Sequence, residues 1–254
     1  MNISPNSQVD KYYEVAYRMK LTPNKKRLEF KMQQLFSDVN FKDKRVLDIG
    51  GGTGLYSFFA CANGASEVVC LEPQAEGSNT RMIDIFSKFN DNIEYNNVKL
   101  VDDTFQNYDD GYFDVIILHN SINHLNEEAC KNLHYDNISR SIYIRYFKKM
   151  YTMLNAGGTL IISDCSRYNF WPILGLRNPI DPNINWEIHQ PPKIWHEIGK
   201  KVGFTKVKLS WNSLNRFGNI GIMFLGNKVI SFFLKGHFNL YLNKLNNKCY
   251  PITY

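Results

Sequence analysis

The spacing of apolar positions divides the chain into a helical preface and a longer run in which strand-like and helix-like segments alternate. Val9–Lys20 and Asn24–Val39 carry apolar residues at helical spacing with Pro23 between them, so residues 1–44 are expected to form a helical cap. Short apolar or β-branched runs follow at Arg45–Ile49, Glu67–Leu71, Val98–Val101, Phe113–Leu118 and Thr159–Ser163. Between them Gly54–Ala62, Glu76–Phe89 and Asn126–Leu154 read as helices, the last ended by a break at Asn155–Gly158. Such alternation predicts a mostly parallel sheet with helices on both faces. Past residue 165 the pattern loosens. Ser166–Gln190, rich in Asn, Pro and Trp, reads as an insertion without long elements. Pro191–Val202 reads as a helix with proline near its start, and Phe204–Trp211 and His237–Leu242 as closing strands. Residues 212–236 between those strands form a second, glycine-punctuated insertion. One domain over 45–254 is expected, with insertions at about 166–190 and 212–236.

Composition adds little and charge adds more. With 254 residues, 44% apolar and 21% charged, the chain can bury a sizeable core, and collagen, coiled coil and wholesale disorder are excluded. No stretch reaches 18 apolar residues, and the opening MNISPNSQVDKYYE has no apolar core, so neither a spanning helix nor a secretory signal is expected. Asn2 and the placement of Cys249 give no lipidation signal. Five cysteines without a CxxC pair fit reduced thiols in a cytoplasm better than a disulfide frame or a zinc site, so no metal is expected. The net charge of +6 hides an asymmetry: residues 198–254 hold nine Lys and Arg and no acid. A basic end of this kind attracts anions.

The most informative stretch is Val46–Gly54, where an apolar strand runs into glycines at 50, 51, 52 and 54 and a helix follows. Glycine there permits a tight turn and close approach of a nucleotide. Glu72 ends the next strand, at about the spacing from which a carboxylate accepts both hydroxyls of a ribose. The dinucleotide pattern G-x-G-x-x-G/A fails at its sixth position, which is Leu55 counted from Gly50 and Ser57 counted from Gly52. A P-loop would need Gly-Lys-Ser/Thr, which is absent. Asp48 precedes the glycines instead; a carboxylate repels a pyrophosphate but anchors an ammonium, which suits an amino-acid-bearing nucleoside better than NAD.

With these features in order, residues 44–165 resemble the class I S-adenosylmethionine-dependent methyltransferases. The resemblance implies a doubly wound, Rossmann-like seven-stranded sheet whose last strand is antiparallel. It implies that Asp48, Gly50, Gly51, Gly52 and Gly54 hold the methionine part of S-adenosyl-L-methionine and Glu72 the ribose. Asp102 would accept from the adenine amino group and the Asp103 backbone would face the ring. Phe113–Asn120 matches the fourth strand, which would bring His119 under the sulfonium, and Leu154–Ile162 matches the turn and fifth strand. At Gly51 many members carry Cys or another side chain.

Transfer to a hydroxyl needs a base, because the proton must leave as the new bond forms. His119, His124, His189 and Asp164 are the candidates, with His124 and His189 preferred. Trp171 and Trp186, in the first insertion, are expected to face the acceptor with His189. His119–Asn123 stands where nucleic-acid amino-methyltransferases carry Asp/Asn-Pro-Pro-aromatic, so nucleic acid is not an expected partner. The reading is methyl transfer to a small-molecule, glycan or lipid-linked acceptor, at oxygen. Its alternatives are a non-catalytic cofactor-binding module and an NAD-dependent oxidoreductase. Residues 212–236 interleave Arg216, Lys228 and Lys235 with apolar side chains, which suits either a lid on the sheet or weak contact with an anionic membrane surface. The expected location is the cytoplasm, peripheral to a membrane.

Overall fold

The computed structural model describes residues 5–74, 80–179, 181–212 and 227–246. Five strands are parallel: β1 (Arg45–Ile49), β2 (Glu67–Leu71), β3 (Val98–Val101), β4 (Phe113–His119) and β5 (Leu154–Asp164). The last two are β6 (Thr205–Trp211) and β7 (Phe238–Asn243), and the sheet order is β3-β2-β1-β4-β5-β7-β6. β7 runs antiparallel to both of its neighbours. This is the doubly wound, seven-stranded sheet with a reversed last strand that the resemblance implied.

The central strands are apolar on both faces because both are covered. On one face Leu47, Ile116, Ile162 and Leu240 pack with helices α5 (Glu127–Asn132), α6 (Asn137–Met153) and α8 (Pro192–Val202). On the other face Val46, Val115, Ile117 and Ile161 pack with α1 (Pro5–Arg18), α2 (Lys25–Phe36), α3 (Leu55–Ala62) and α4 (Thr80–Ile93). Two short helices, α7 (Phe170–Ile173) and α9 (Lys228–Phe233), lie in the two irregular stretches.

Several boundaries differ from the periodicity. The helix read at Glu76–Phe89 begins at Thr80 and runs to Ile93, while residues 75–79 lie outside those described. The span read as one helix over 126–154 is two, because Asp136 caps α6 by accepting from the backbone of Ile138 and Ser139 at 3.1 and 2.9 Å. The break read at 155–158 is part of β5. Leu154 pairs with Phe113, then the register shifts, and Gly157 at φ 76° sits in that irregularity.

The reversal of β7 positions the site. A parallel strand presents its last residues at the ligand-binding edge, whereas β7 presents its first, Phe238 and Asn239, paired with Asp164 and Ser163. The end of β6 and the segment before β7 therefore reach the edge where β1, β2 and β4 end.

Candidate active site

Asp48, the fourth residue of β1, is buried below the glycine loop. Ser57, on the first turn of α3, donates its hydroxyl to Asp48 Oδ2 at 2.7 Å, and Oδ1 is buried without a partner among the described residues. Burial, and the Glu72 charge to a lesser degree, push the Asp48 carboxyl up to about 7 against the Ser57 bond. An orphaned carboxylate oxygen of this kind is a receptor for a cation.

The loop above it is shaped by close approach. A side chain at Gly51 would stand 2.5 Å from Cys70 Sγ and 2.9 Å from Asp48 Oδ2, so this chain has no room for the residue that other members carry there. Gly52, at φ 56°, meets nothing within 4 Å and leaves an open cradle. Its amide donates to Glu72 Oε2 at 2.9 Å, which ties the loop tip to the acid at the end of β2. Burial raises the Glu72 carboxyl, and the Gly52 amide opposes the shift. Gly50 donates to the Leu71 carbonyl at 2.8 Å, and Gly54 precedes α3 as its N-cap. Asp102 follows β3 and accepts from the Gln74 amide at 2.7 Å. The Asp103 carboxylate is engaged in its own turn, accepting from Thr104 N at 2.7 Å.

Beyond the loop lies a cleft of about 480 Å³ whose lining includes Asn120, His124, Asp181, His189, Lys235 and His237. His189 Nδ1 lies 2.9 Å from Asp164 Oδ1, with the His189 side chain 10% exposed and Asp164 fully buried. His124 Nδ1 pairs with Glu127 Oε1 at 2.7 Å, but both side chains are more than half exposed. His119 is not on the cleft wall; its ring stacks 4.3 Å from that of Tyr56 and 5.8 Å from that of His237. Burial, then the charges of Lys31 and His237, hold His119 well below the usual histidine range, so it is neutral near pH 7.

The two tryptophans do not line the cleft as expected. Trp171 donates Nε1 to the Phe233 carbonyl at 2.9 Å, so its polar tip ties the first irregular stretch to the second. Trp186 meets His189 edge-on at 6.1 Å. The structure also brings in residues that motif reading passed over: Ser57, Tyr56, His237, Lys235 and Lys31 of α2, whose ammonium lies 5.1 Å from the Tyr56 ring centre. Only Ser57, nine residues past Asp48 and one turn into the helix, carried a local signal.

Among the described residues there is no cluster of three or more His, Cys, Asp or Glu that could hold a metal ion, and no helix long and apolar enough to cross a membrane.

Among solved structures, an Aquifex aeolicus S-adenosylmethionine-dependent methyltransferase is similar at 12% identity and TM-score 0.53, over 86% of this chain and 89% of that one. A Listeria monocytogenes protein assigned to the same group is similar at 13% identity and TM-score 0.57, over 87% of this chain and 99% of that one. A Burkholderia thailandensis protein of an O-methyltransferase family gives 13% identity and TM-score 0.53, over 88% of this chain and 58% of that one. At these identities the likeness is one of fold. No curated protein matches this chain. The family described as "Methyltransferase domain" matches residues 22–209, from α2 through most of β6 and including the glycine loop with Asp48 and Glu72. By that match, and with the sheet and loop described above, the chain belongs to the class I S-adenosylmethionine-dependent methyltransferases.

Proposed function

We propose that the chain methylates a hydroxyl oxygen of a small-molecule, glycan or lipid-linked acceptor, with His189 as the general base and Asp164 as the residue that orients it. The carrying observation is the buried contact between His189, on the wall of the cleft, and Asp164 behind it at the end of β5. A carboxylate on Nδ1 fixes the proton there and leaves Nε2 as the basic atom. His124 has the same kind of partner but shares it with solvent, which weakens its hold.

S-adenosylmethionine, when bound, supplies an electrophilic methyl group. In this reading Asp48 Oδ1 takes the ammonium, the loop Gly50–Gly54 accommodates the methionine part, Glu72 accepts from the ribose, and Asp102 and the Asp103 backbone meet the adenine. The neutral His119 keeps positive charge away from the sulfonium.

The experiment is transfer of labelled methyl groups to a panel of phenols, sugars and lipid extracts. His189→Gln and Asp164→Asn should each lower turnover about 10²- to 10⁴-fold, the usual contribution of a general base, at unchanged cofactor affinity. Full turnover in both variants, or transfer only to thiols and amines, would overturn the assignment.

A surface feature favours a lipid-linked acceptor among the three. Ile173, Leu174 and Leu176 after α7 and Val229 and Phe233 of α9 are 48–65% exposed, and Phe170 packs on Phe233 at 5.3 Å to join the two helices. Arg177 and Lys228 are exposed beside them. An apolar patch flanked by cations suits the headgroup region of an anionic bilayer. Residues 213–226, the remainder of the basic insertion, lie outside those described.

A further inference from the structure

Asn120, the residue after β4, is held through both its backbone and its side chain. The backbone takes a left-handed φ of 53°, which asparagine tolerates better than most residues, and its N–H donates to the Ser163 carbonyl at 2.8 Å. The side chain ends a directed series of hydrogen bonds that starts in the core. The hydroxyl of Ser163, a buried residue of β5, donates to Asn239 Oδ1 at 2.7 Å. Asn239, buried at the start of β7, donates from Nδ2 to Asn212 Oδ1 at 2.8 Å. Asn212 Nδ2 in turn donates to His237 Nδ1 at 2.7 Å. Burial, then the charges of Lys31, Lys235 and His189, lower His237 to about 3, so its ring is neutral near pH 7. With Nδ1 accepting, the one ring proton stands on Nε2, which donates to Asn120 Oδ1 at 3.3 Å. Asn120 and His237 both line the cleft, as does His189. Asn120 is exposed there, and among the described residues its Nδ2 has no acceptor. The cleft wall therefore carries an oriented N–H donor that the protein itself does not use.

A hydroxyl oxygen has one proton and two lone pairs. In the methyl-transfer reading, on which this inference rests, the proton goes to His189 Nε2. One lone pair forms the new oxygen–carbon bond as the sulfur–carbon bond breaks, and the electrons of the broken bond stay on sulfur. The second lone pair is left to accept a hydrogen bond. A neutral amine has a single lone pair, and a donor that occupies it competes with transfer. We propose that Asn120, oriented by His237, donates to the reacting oxygen of the acceptor and so selects hydroxyls over amines. Asn120 is the residue that touches the acceptor; His237, Asn212, Asn239 and Ser163 are positioning residues. Were the series to run the other way, Asn120 would turn its oxygen to the cleft and favour an amine.

Nitrogen NMR of the full chain, labelled in histidine and saturated with S-adenosylhomocysteine, should show His237 neutral at pH 7 with its proton on Nε2. A proton on Nδ1, or a charged ring, overturns the proposal before any turnover is measured. Rates of labelled methyl transfer to phenol and aniline, both neutral at pH 7, then read the preference for oxygen over nitrogen. Asn120→Asp keeps an acceptor for His237 and replaces the exposed donor by an acceptor. It should lower the phenol-to-aniline ratio at least tenfold, the loss expected for one hydrogen bond, with the proton still on His237 Nε2 and S-adenosylhomocysteine affinity retained. An unchanged ratio with turnover intact removes the role of Asn120 and leaves the methyl-transfer reading standing. A wild type that methylates aniline as fast as phenol, or neither of them, overturns the proposal too. In the second case, transfer to the sugars and lipids of the wider panel shows whether the methyl-transfer reading falls with it.

Discussion

Asp48 shows how one residue carries both a cost and a function. Its carboxyl is held up at about 7 by burial, so the folded chain keeps a proton there at pH values where the unfolded chain has released it. That contribution to stability is therefore complete below pH 4 and is lost as pH rises through 7, on the order of 4 kcal/mol for a shift of this size. Asp48→Asn keeps the Ser57 contact and removes the titration. We expect the melting temperature of the ligand-free variant to fall less than the wild type's between pH 5 and 8, with cofactor affinity reduced at least tenfold. Parallel pH profiles in scanning calorimetry would remove burial of the carboxylate as the cause. Asp48, Glu72 and the glycines were legible because they are local: strand, loop, helix and acid follow one another within 27 residues. His237 and Lys31 were not legible, because neither has a neighbour in sequence that hints at the other, and only the packing of α2 and the reversal of β7 bring them to the Tyr56 and His119 rings.

At the scale of elements, apolar runs predicted strands well, and Val98–Val101 has the same limits in sequence and structure. Helix boundaries were less visible where capping decided them, as at Asp136, and a glycine pair that normally marks a turn became an irregularity inside β5. α8 illustrates what holds an element in place. It starts with Pro192 and ends at Gly203, whose φ is 114°. Its Trp195 is fully buried, lying between Tyr143 and Phe147 of α6 at 5.2 and 6.2 Å. The indole Nε1 is buried without a partner among the described residues. Trp195→Ala should destabilise the protein by about 3–5 kcal/mol through the cavity it leaves. Trp195→Phe removes the orphan N–H along with part of the ring and should cost well under half of that, measured by urea denaturation. Equal losses in the two variants would mean that the indole nitrogen does find a partner.

For the molecule as a whole, the exposed apolar patch of α7 and α9 carries two of the chain's cations, Arg177 and Lys228. The exposed apolar side chains of the two helices are joined through Phe170 on Phe233 and the Trp171 bond to the Phe233 carbonyl. Each Lys or Arg near an anionic bilayer contributes about 1 kcal/mol, screened over roughly 8–10 Å at physiological salt. The protein should co-sediment with phosphatidylserine vesicles at low salt, release at high salt, and ignore phosphatidylcholine. Val229→Glu with Phe233→Glu should abolish binding while leaving cofactor affinity unchanged. Equal binding to both lipids, or none to either, would leave the patch as a cover over the sheet. This surface was only half legible: the second insertion announced its basic, apolar character, whereas the contribution of α7 depends on Trp171 and Phe170 reaching across to it.

The position of β7 in the sheet also bears on how the chain is made. It sits between β5 and β6 but is synthesised after both. From the end of β5 to the end of β7 a ribosome needs roughly 4–16 s at ~5–20 residues per second. During that interval the hydrogen-bonding edge of β5 is open and β6 has no strand to join. A nascent chain halted before Phe238 would carry an open edge rich in Leu and Ile, the kind of template that recruits other chains or a chaperone.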